Sequence, residues 1–152
     1  MTDLFAGLPH DAVPSTAAPA PPTSHVPPVA PPPGPALLHG KPIGVYGDGE
    51  QTRDFTYIAD AVAANLAAAE RGVPGRAYNV GGGSRVSVNR VLETLGRIAG
   101  KAPEVQHGAP QPGDPRDTGA DIARARTDLG WSPKVALEDG LARQYAWQKE
   151  GA

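Results

Sequence analysis

The chain has 152 residues, no cysteine, and 14 basic against 16 acidic residues, which gives a formal net charge of −2 at pH 7. The absence of cysteine excludes disulfides and thiolate chemistry, and it fits a reducing cytoplasm. Charges of both signs are interleaved without a basic stripe, which argues against nucleic-acid binding. We therefore expect a cytoplasmic protein with at most one modest domain and no nucleic-acid partner.

Proline dominates the first part of the chain. Twelve of the 18 prolines fall within residues 1–42. Because proline fixes φ and removes a backbone donor, neither a helix nor a sheet propagates through such runs. We predict a disordered Pro/Ala-rich tail over residues 1–36 and a folded part over residues 37–150. No signal-peptide pattern and no apolar run of ~20 residues is present, so no membrane partner is expected.

The folded part begins with signals for strands and a turn. The segment KPIGVY at Lys41–Tyr46 predicts a strand, and the glycines of residues 47–49 predict a tight turn. RDFTYI at Arg53–Ile58 predicts a second extended segment, because it is rich in aromatic and β-branched residues. Asp60 is predicted to cap a helix that ends before Gly72. The apolar face expected for that helix consists of Val62, Leu66 and Ala69.

The second half of the folded part repeats this alternation. GRAYNV at Gly75–Val80 predicts a strand, and Ser87 is a plausible N-cap. The helix after it has an apolar stripe formed by Val88, Val91, Leu92, Leu95 and Ile98. A short strand is expected at residues 104–107, a loop at 108–119, and two helices, one capped by Asp121 and one from about Leu137. Alternating helices and strands indicate an α/β fold.

Several motifs of this half occur together in one order. They are VYGDGEQTRDFTYI at Val45–Ile58, YNVGGG at Tyr78–Gly83, PGD at Pro112–Asp114, AD at Ala120–Asp121 and LGWSP at Leu129–Pro133. In order and spacing they resemble the NAD-dependent epimerase/dehydratase family, the extended short-chain dehydrogenases. The resemblance implies the C-terminal, substrate-binding part of an extended Rossmann-type short-chain dehydrogenase, which binds a nucleoside-diphosphate sugar.

The resemblance also implies roles for individual residues. Arg53 would hold the diphosphate, which suits its planar fork; the alternative is a surface arginine paired with Asp54. The strand residues Gly44, Val45 and Tyr46 would border the base, although plain strand packing is an equal alternative for Val45. Of the loop residues Gln111 and Asp114, Asp114 would accept hydrogen bonds from the ribose. The alternative for this loop is a polar turn.

Two features of the loops leave questions open. Many relatives have arginine at the position of Gln111, and glutamine brings no charge, so Arg116 is a candidate to compensate. The glycines at positions 81–83 lie between a strand and a helix but do not form GxGxxG, so a permissive turn is favoured over a phosphate loop. The four histidines have no ligand partners at metal-binding spacing, which argues against a metal site.

The family's chemistry uses NAD, a glycine-rich GxxGxxG turn and a catalytic Tyr/Lys pair. We expect neither the glycine-rich turn nor the catalytic pair in this chain. Tyr145 and Lys149 have the spacing of such a pair, but we interpret that spacing as a coincidence on the last helix. We predict a truncated epimerase/dehydratase, similar to UDP-sugar 4-epimerases, that binds no NAD by itself. The NAD-binding half could be supplied in trans. The alternatives are a non-catalytic sugar-nucleotide-binding module or a non-functional gene remnant.

Overall fold

A computed structural model describes residues 33–151 of the chain. The tail predicted for residues 1–36 therefore lies, up to residue 32, outside the described residues. In chain order the elements are α1 Pro33–Leu38, β1 Ile43–Tyr46, β2 Thr52–Asp54, α2 Ile58–Arg71, β3 Arg85–Ser87, α3 Val88–Ala99, β4 Val105–Gly108, α4 Ala123–Leu129 and α5 Leu137–Glu150. No helix within this part is long and apolar enough to cross a bilayer.

The first sheet consists of β1 and β4, which pair in parallel. The register runs from Ile43 opposite Val105 to Tyr46 opposite Gly108. Parallel neighbours need a long crossover, and here the connection between them includes α2 and α3. The predicted strands at residues 41–46 and 104–107 are thus confirmed, with shifted ends. Helices that alternate with a parallel strand pair confirm the α/β class.

The second sheet is the antiparallel pair of β2 and β3, in which Thr52 faces Ser87. The extended segment predicted for residues 53–58 is only partly correct, because its ladder ends at Asp54 and Ile58 already belongs to α2. Ser87 confirms the prediction of an N-cap: its side chain accepts a hydrogen bond from the Arg90 amide at 3.3 Å.

One core cluster lies where α1, β1 and α3 meet. Its buried members are Ala36, Leu37, Ile43, Val45, Val91, Leu92 and Leu95, with Leu141 and Tyr145 of α5 packed against them. The stripe predicted for α3 is therefore its buried face. Helix α1 begins at Pro33, within the stretch predicted as tail, and buries Ala36. Proline is well tolerated at the first position of a helix, so a proline-rich pattern does not mark where a fold begins.

The predicted apolar face of α2 is wrong. Val62 and Leu66 are 50% and 61% exposed, whereas Ala64 and Ala67 are buried. These two alanines pack in a second core cluster with Ile122, Ala125, Leu129 and Trp131. Alanine lets the backbones of α2 and α4 approach closely, so the smaller residues of the helix, and not the larger ones, face the core.

Asp60 does not cap α2, because the residue at the cap position is Tyr57. Asp60 lies in the first turn, is buried, and accepts hydrogen bonds from the amides of Lys134 and Val135 at 3.1 and 3.0 Å. The indole Nε1 of Trp131 donates to the Asp60 carbonyl at 3.1 Å. The carboxylate therefore stabilises the packing of α2 against the segment between α4 and α5, and it does not cap its own helix.

The strand predicted at Gly75–Val80 is not formed within the described residues. The segment belongs to neither strand pair, although Tyr78 and Val80 pack partly against the second core cluster. An isolated segment has no ladder to join, so sequence preference alone does not make it a strand. Of the two tryptophans, Trp131 is a core residue, whereas Trp147 is 71% exposed.

Candidate functional site

A cleft of about 650 Å³ opens at the carboxyl ends of β1 and β4. This edge of a parallel sheet is where open α/β folds bind ligands, because the loops that follow neighbouring strands meet there. Its polar and aromatic lining consists of Tyr46, Asp48, Gln51, His107, Gln111, Asp114 and Arg116. Three of the six residues that the sequence nominates for substrate binding, namely Tyr46, Gln111 and Asp114, are therefore gathered in one cleft.

The alternation of β1 decides which of its residues reach the cleft. Successive side chains of a strand point to opposite faces. Val45 is 4% exposed and lies in the first core cluster, so the prediction that it borders a bound base is not supported, and strand packing describes it. Gly44 and Tyr46 lie on the opposite, exposed face, but only Tyr46 lines the cleft.

The turn after β1 is held to both strands by side chains. Gly47 and Gly49 have φ values of 72° and 76°, a conformation that glycine adopts without strain. Gln51 Nε2 donates to the Tyr46 carbonyl at 2.9 Å, and His107 Nδ1 lies 2.8 Å from the Gly47 carbonyl oxygen. The turn after β1 is thus held in place by hydrogen bonds from Gln51 and His107, which both line the cleft.

Arg53 reaches the edge of the cleft from β2. Its Nη2 lies 2.5 Å from Asp114 Oδ1, and its Nη1 donates to the Thr52 carbonyl at 2.8 Å. Two predicted site residues that are 61 positions apart in the chain therefore touch. The alternative partner, Asp54, is engaged elsewhere: its carboxylate accepts from the amides of Gly82 and Ala120.

Asp48 and Arg116, which both line the cleft, form a second ion pair. Arg116 Nη1 donates to both carboxylate oxygens of Asp48, at 2.8 and 3.0 Å. This hydrogen bond, followed by the one from the Glu50 amide, lowers the pKa of Asp48 below its ordinary value. The two arginines and two aspartates at the cleft therefore form two pairs in which positive and negative charges cancel.

The triple glycine at 81–83 packs against the end of β2. A Cβ at Gly81 would lie 2.3 Å from Asp54 Oδ2, and one at Gly82 would lie 2.0 Å from the Phe55 carbonyl oxygen. The Gly82 amide already donates to Asp54 at 2.6 Å, so it is not free to hold a phosphate. These glycines serve close packing, and they do not fit the pyrophosphate of NAD in the way that a dinucleotide-binding turn does.

Three residues of the cleft were not foreseen from the sequence: Asp48, Gln51 and His107. Their signal was their position, since Asp48 lies two residues after β1, His107 lies near the end of β4 and Gln51 directly precedes β2. That signal is readable only once the two strands are known to be neighbours. Within residues 33–151 no group of histidine, aspartate and glutamate side chains could hold a metal ion.

Comparison with known proteins gives one family. The profile described as the NAD-dependent epimerase/dehydratase family matches residues 34–81. UDP-glucuronate 4-epimerase of Thermodesulfobacterium geofontis is 39% identical over 115 residues, which cover 75% of this chain and 35% of that protein. A dTDP-glucose 4,6-dehydratase of Neisseria gonorrhoeae is 34% identical, with 72% and 35% covered.

The fold agrees with the sequence comparison. The crystal structure of UDP-glucuronic acid 4-epimerase from Bacillus cereus in complex with UDP-glucuronic acid and NAD superimposes with a TM-score of 0.75 and 38% sequence identity. The superposition covers 78% of this chain and 38% of the B. cereus chain. The chain spans about a third of the length of the curated relatives it matches. In sequence and in fold, the chain belongs to the NAD-dependent epimerase/dehydratase family.

Proposed function

We propose that this chain is the part of a nucleotide-sugar epimerase or dehydratase that binds the nucleoside diphosphate of the substrate. The observation that carries the proposal is the contact between Arg53 and Asp114 at the edge of a cleft that Tyr46 and Gln111 also line. An arginine fork, a carboxylate and an aromatic ring are the groups that a diphosphate, a ribose and a base require, respectively.

This chemistry suggests a role for each of these residues. Tyr46 would pack against the base, and Asp114 would accept hydrogen bonds from the ribose hydroxyls. Arg53 would donate to the diphosphate, with Gln111 adding a neutral donor. The B. cereus relative, crystallised with UDP-glucuronic acid and NAD, supports a UDP-sugar as the ligand. The dehydratase relatives support a dTDP-sugar equally well.

The reaction needs groups from elsewhere. In the family, bound NAD supplies reversible hydride transfer to the sugar, and neither of its protein requirements, the glycine-rich turn and the Tyr/Lys pair, is built from residues 33–151. Tyr145 packs against the first core cluster, which supports the view that its spacing to Lys149 is a coincidence. We expect no catalysis from this chain alone and place it, as part of the same proposal, in the cytoplasm.

A partner that supplies the NAD-binding half in trans is the functional form that we favour over a gene remnant. Its support is an exposed apolar face on α2, formed by Ile58, Val62 and Leu66, which are 50–67% exposed. The segment of residues 75–80 is also not paired in either described sheet. A soluble monomer rarely leaves such a surface uncovered, and a separate α/β half would cover it.

Calorimetry of the full chain tests the binding proposal. We expect binding of UDP- or dTDP-sugars and none of NAD. Arg53→Lys keeps the charge but loses the fork, so it should weaken binding by about tenfold, and Arg53→Ala should weaken it by about 100-fold.

The matched control is Arg126→Ala, which removes an exposed arginine on α4, and it should bind as the unmodified chain does. Circular dichroism checks that each variant is folded. If the folded chain binds neither UDP- nor dTDP-sugars, the proposal fails and the gene remnant becomes the better account.

A further inference from the structure

Arg116 lines the cleft, and its guanidinium is paired with one exposed aspartate. Arg116 has a side chain that is 60% exposed, and its ion-pair partner Asp48 is 57% exposed. The pair of Arg53 and Asp114 is less exposed, at 26% and 40%. Exposed ion pairs are weak because water and salt screen both charges. Of the two arginines, Arg116 therefore gives up its aspartate at the lower cost.

The backbone of Arg116 is fixed where the two arginines meet. Its carbonyl accepts a hydrogen bond from the Thr52 amide at 2.9 Å and from Arg53 Nη1 at 3.4 Å. The Arg53 guanidinium therefore lies against the Arg116 peptide, and the Arg116 side chain extends from that point towards Asp48. Two guanidinium groups can thus approach one diphosphate from adjacent positions, while the loop that carries Arg116 stays in place.

The other carboxylates near Arg116 are hydrogen bonded to other groups. Glu50 Oε1 accepts from Asn89 Nδ2 at 2.6 Å, and Asp117 Oδ1 accepts from Thr52 Oγ1 at 2.5 Å. Asp48 is therefore the carboxylate that holds the Arg116 guanidinium. Without a ligand the charges of Arg53 and Arg116 are cancelled by Asp114 and Asp48, so a diphosphate gains a net cation only when one of these pairs opens.

We propose that Arg116 is the second diphosphate-binding cation of this cleft, and that Asp48 holds it until the ligand displaces the carboxylate. The inference rests on the proposed function, because it names a further residue of the same site. It assigns to Arg116 the charge that Gln111, on the same loop, does not carry. The diphosphate then bridges Arg53 and Arg116, and Asp48 turns to solvent.

Titration of the full chain with UDP and with uridine, followed by NMR, tests the role of Arg116. Arg116→Gln keeps the backbone carbonyl that pairs with Thr52 but removes the charge. We expect it to weaken UDP binding by about 10- to 100-fold, the effect of losing a charge-assisted hydrogen bond. Uridine binding should not change, since uridine has no phosphate. Arg126→Gln, remote from the cleft, should leave both affinities unchanged.

Two more variants separate charge from structure. Asp48→Asn keeps an acceptor for the Glu50 amide, which Asp48 binds at 2.9 Å, but releases Arg116. It should strengthen UDP binding several-fold. Gln111→Arg, added to Arg116→Gln, should restore much of the lost affinity by supplying a cation from the same loop.

The proposal is overturned if Arg116→Gln binds UDP as well as Arg126→Gln does, or if Asp48→Asn weakens binding as much as Arg116→Gln. Either result would mean that the ion pair only shapes the turn. If UDP binds and Arg53→Ala abolishes that binding while Arg116→Gln does not, this inference alone fails. If the unmodified chain binds no UDP at all, it falls together with the proposed function.

Discussion

Asp60 is the residue on which the packing of α2 depends most. Its carboxylate is buried and accepts two backbone hydrogen bonds from the segment that joins α4 to α5. A buried amide that loses its acceptor keeps the full cost of its desolvation. Because the Trp131 indole also donates to the Asp60 carbonyl, the first turn of α2 is tied to that segment by three hydrogen bonds.

Removal of this carboxylate should destabilise the fold. We expect Asp60→Ala to lower the free energy of unfolding by about 2–3 kcal/mol, because two partly buried amides lose a charged acceptor. Glu70→Ala on the same helix is the control, and it should cost less than about 1 kcal/mol because its pair with Arg71 is exposed. Urea denaturation measures both. Equal effects of the two substitutions would refute the anchoring role of Asp60.

At the residue scale, the sequence was informative where a motif carried the chemistry. Arg53 and Asp114 were nominated separately, by two motifs of one family, and the fold brings them into contact. For Val45 the sequence left base contact and strand packing equally open, and its burial fits packing, because the alternation of side chains sends every second one to the core. The ion-pair partner of Arg53 was not predictable from the sequence. Asp54 is adjacent to Arg53, whereas the observed partner, Asp114, lies 61 positions away.

At the scale of the elements, α2 and α3 show when a helical pattern is readable. The stripe of α3 consists of large aliphatic residues, and its buried members Val91, Leu92 and Leu95 pack in the first core cluster. In α2 the large residues are few and the buried positions hold alanine, so the apolar pattern pointed to the wrong face. Small residues that permit close helix packing leave little hydrophobic signal in a sequence.

The observed packing of α2 predicts opposite outcomes for two substitutions. Ala64→Leu places extra volume between α2 and α4, where Ala64 is 1% exposed, and should cost about 1–3 kcal/mol of stability. Leu66→Gln changes a side chain that is 61% exposed and should alter stability by less than about 0.5 kcal/mol.

The two variants serve as controls for each other, and thermal unfolding ranks them. If Leu66→Gln destabilises the chain more than Ala64→Leu, the face that we assign to the core is the wrong one. The face predicted from the sequence would then be correct.

At the scale of the whole molecule, the α/β class was predictable but the cleft was not. Strand and helix signals alternate along the chain, and β1 and β4 appear close to their predicted positions. Their parallel pairing joins segments about 60 residues apart, and it alone brings His107 next to the turn after β1. Such pairing depends on long-range packing, and a single sequence gives no direct sign of it.

The molecule also shows an uneven distribution of its apolar surface. The residues of the two core clusters are buried, whereas four large apolar side chains remain exposed: Ile58, Val62, Leu66 and Trp147. The chain spans about a third of the length of its curated relatives. These exposed apolar side chains are the surface that the proposed NAD-binding half would cover.

The most direct test of the central claim maps the ligand onto the chain. Backbone amide signals of the isotope-labelled full chain should be followed by NMR during titration with UDP-glucose and dTDP-glucose. Binding in the cleft predicts changes concentrated at residues 46–53 and 107–116, with the triple glycine and α5 unaffected. Shifts centred on the triple glycine, or no shifts from a well-folded sample, would contradict the claim that this chain carries a nucleoside-diphosphate-sugar site.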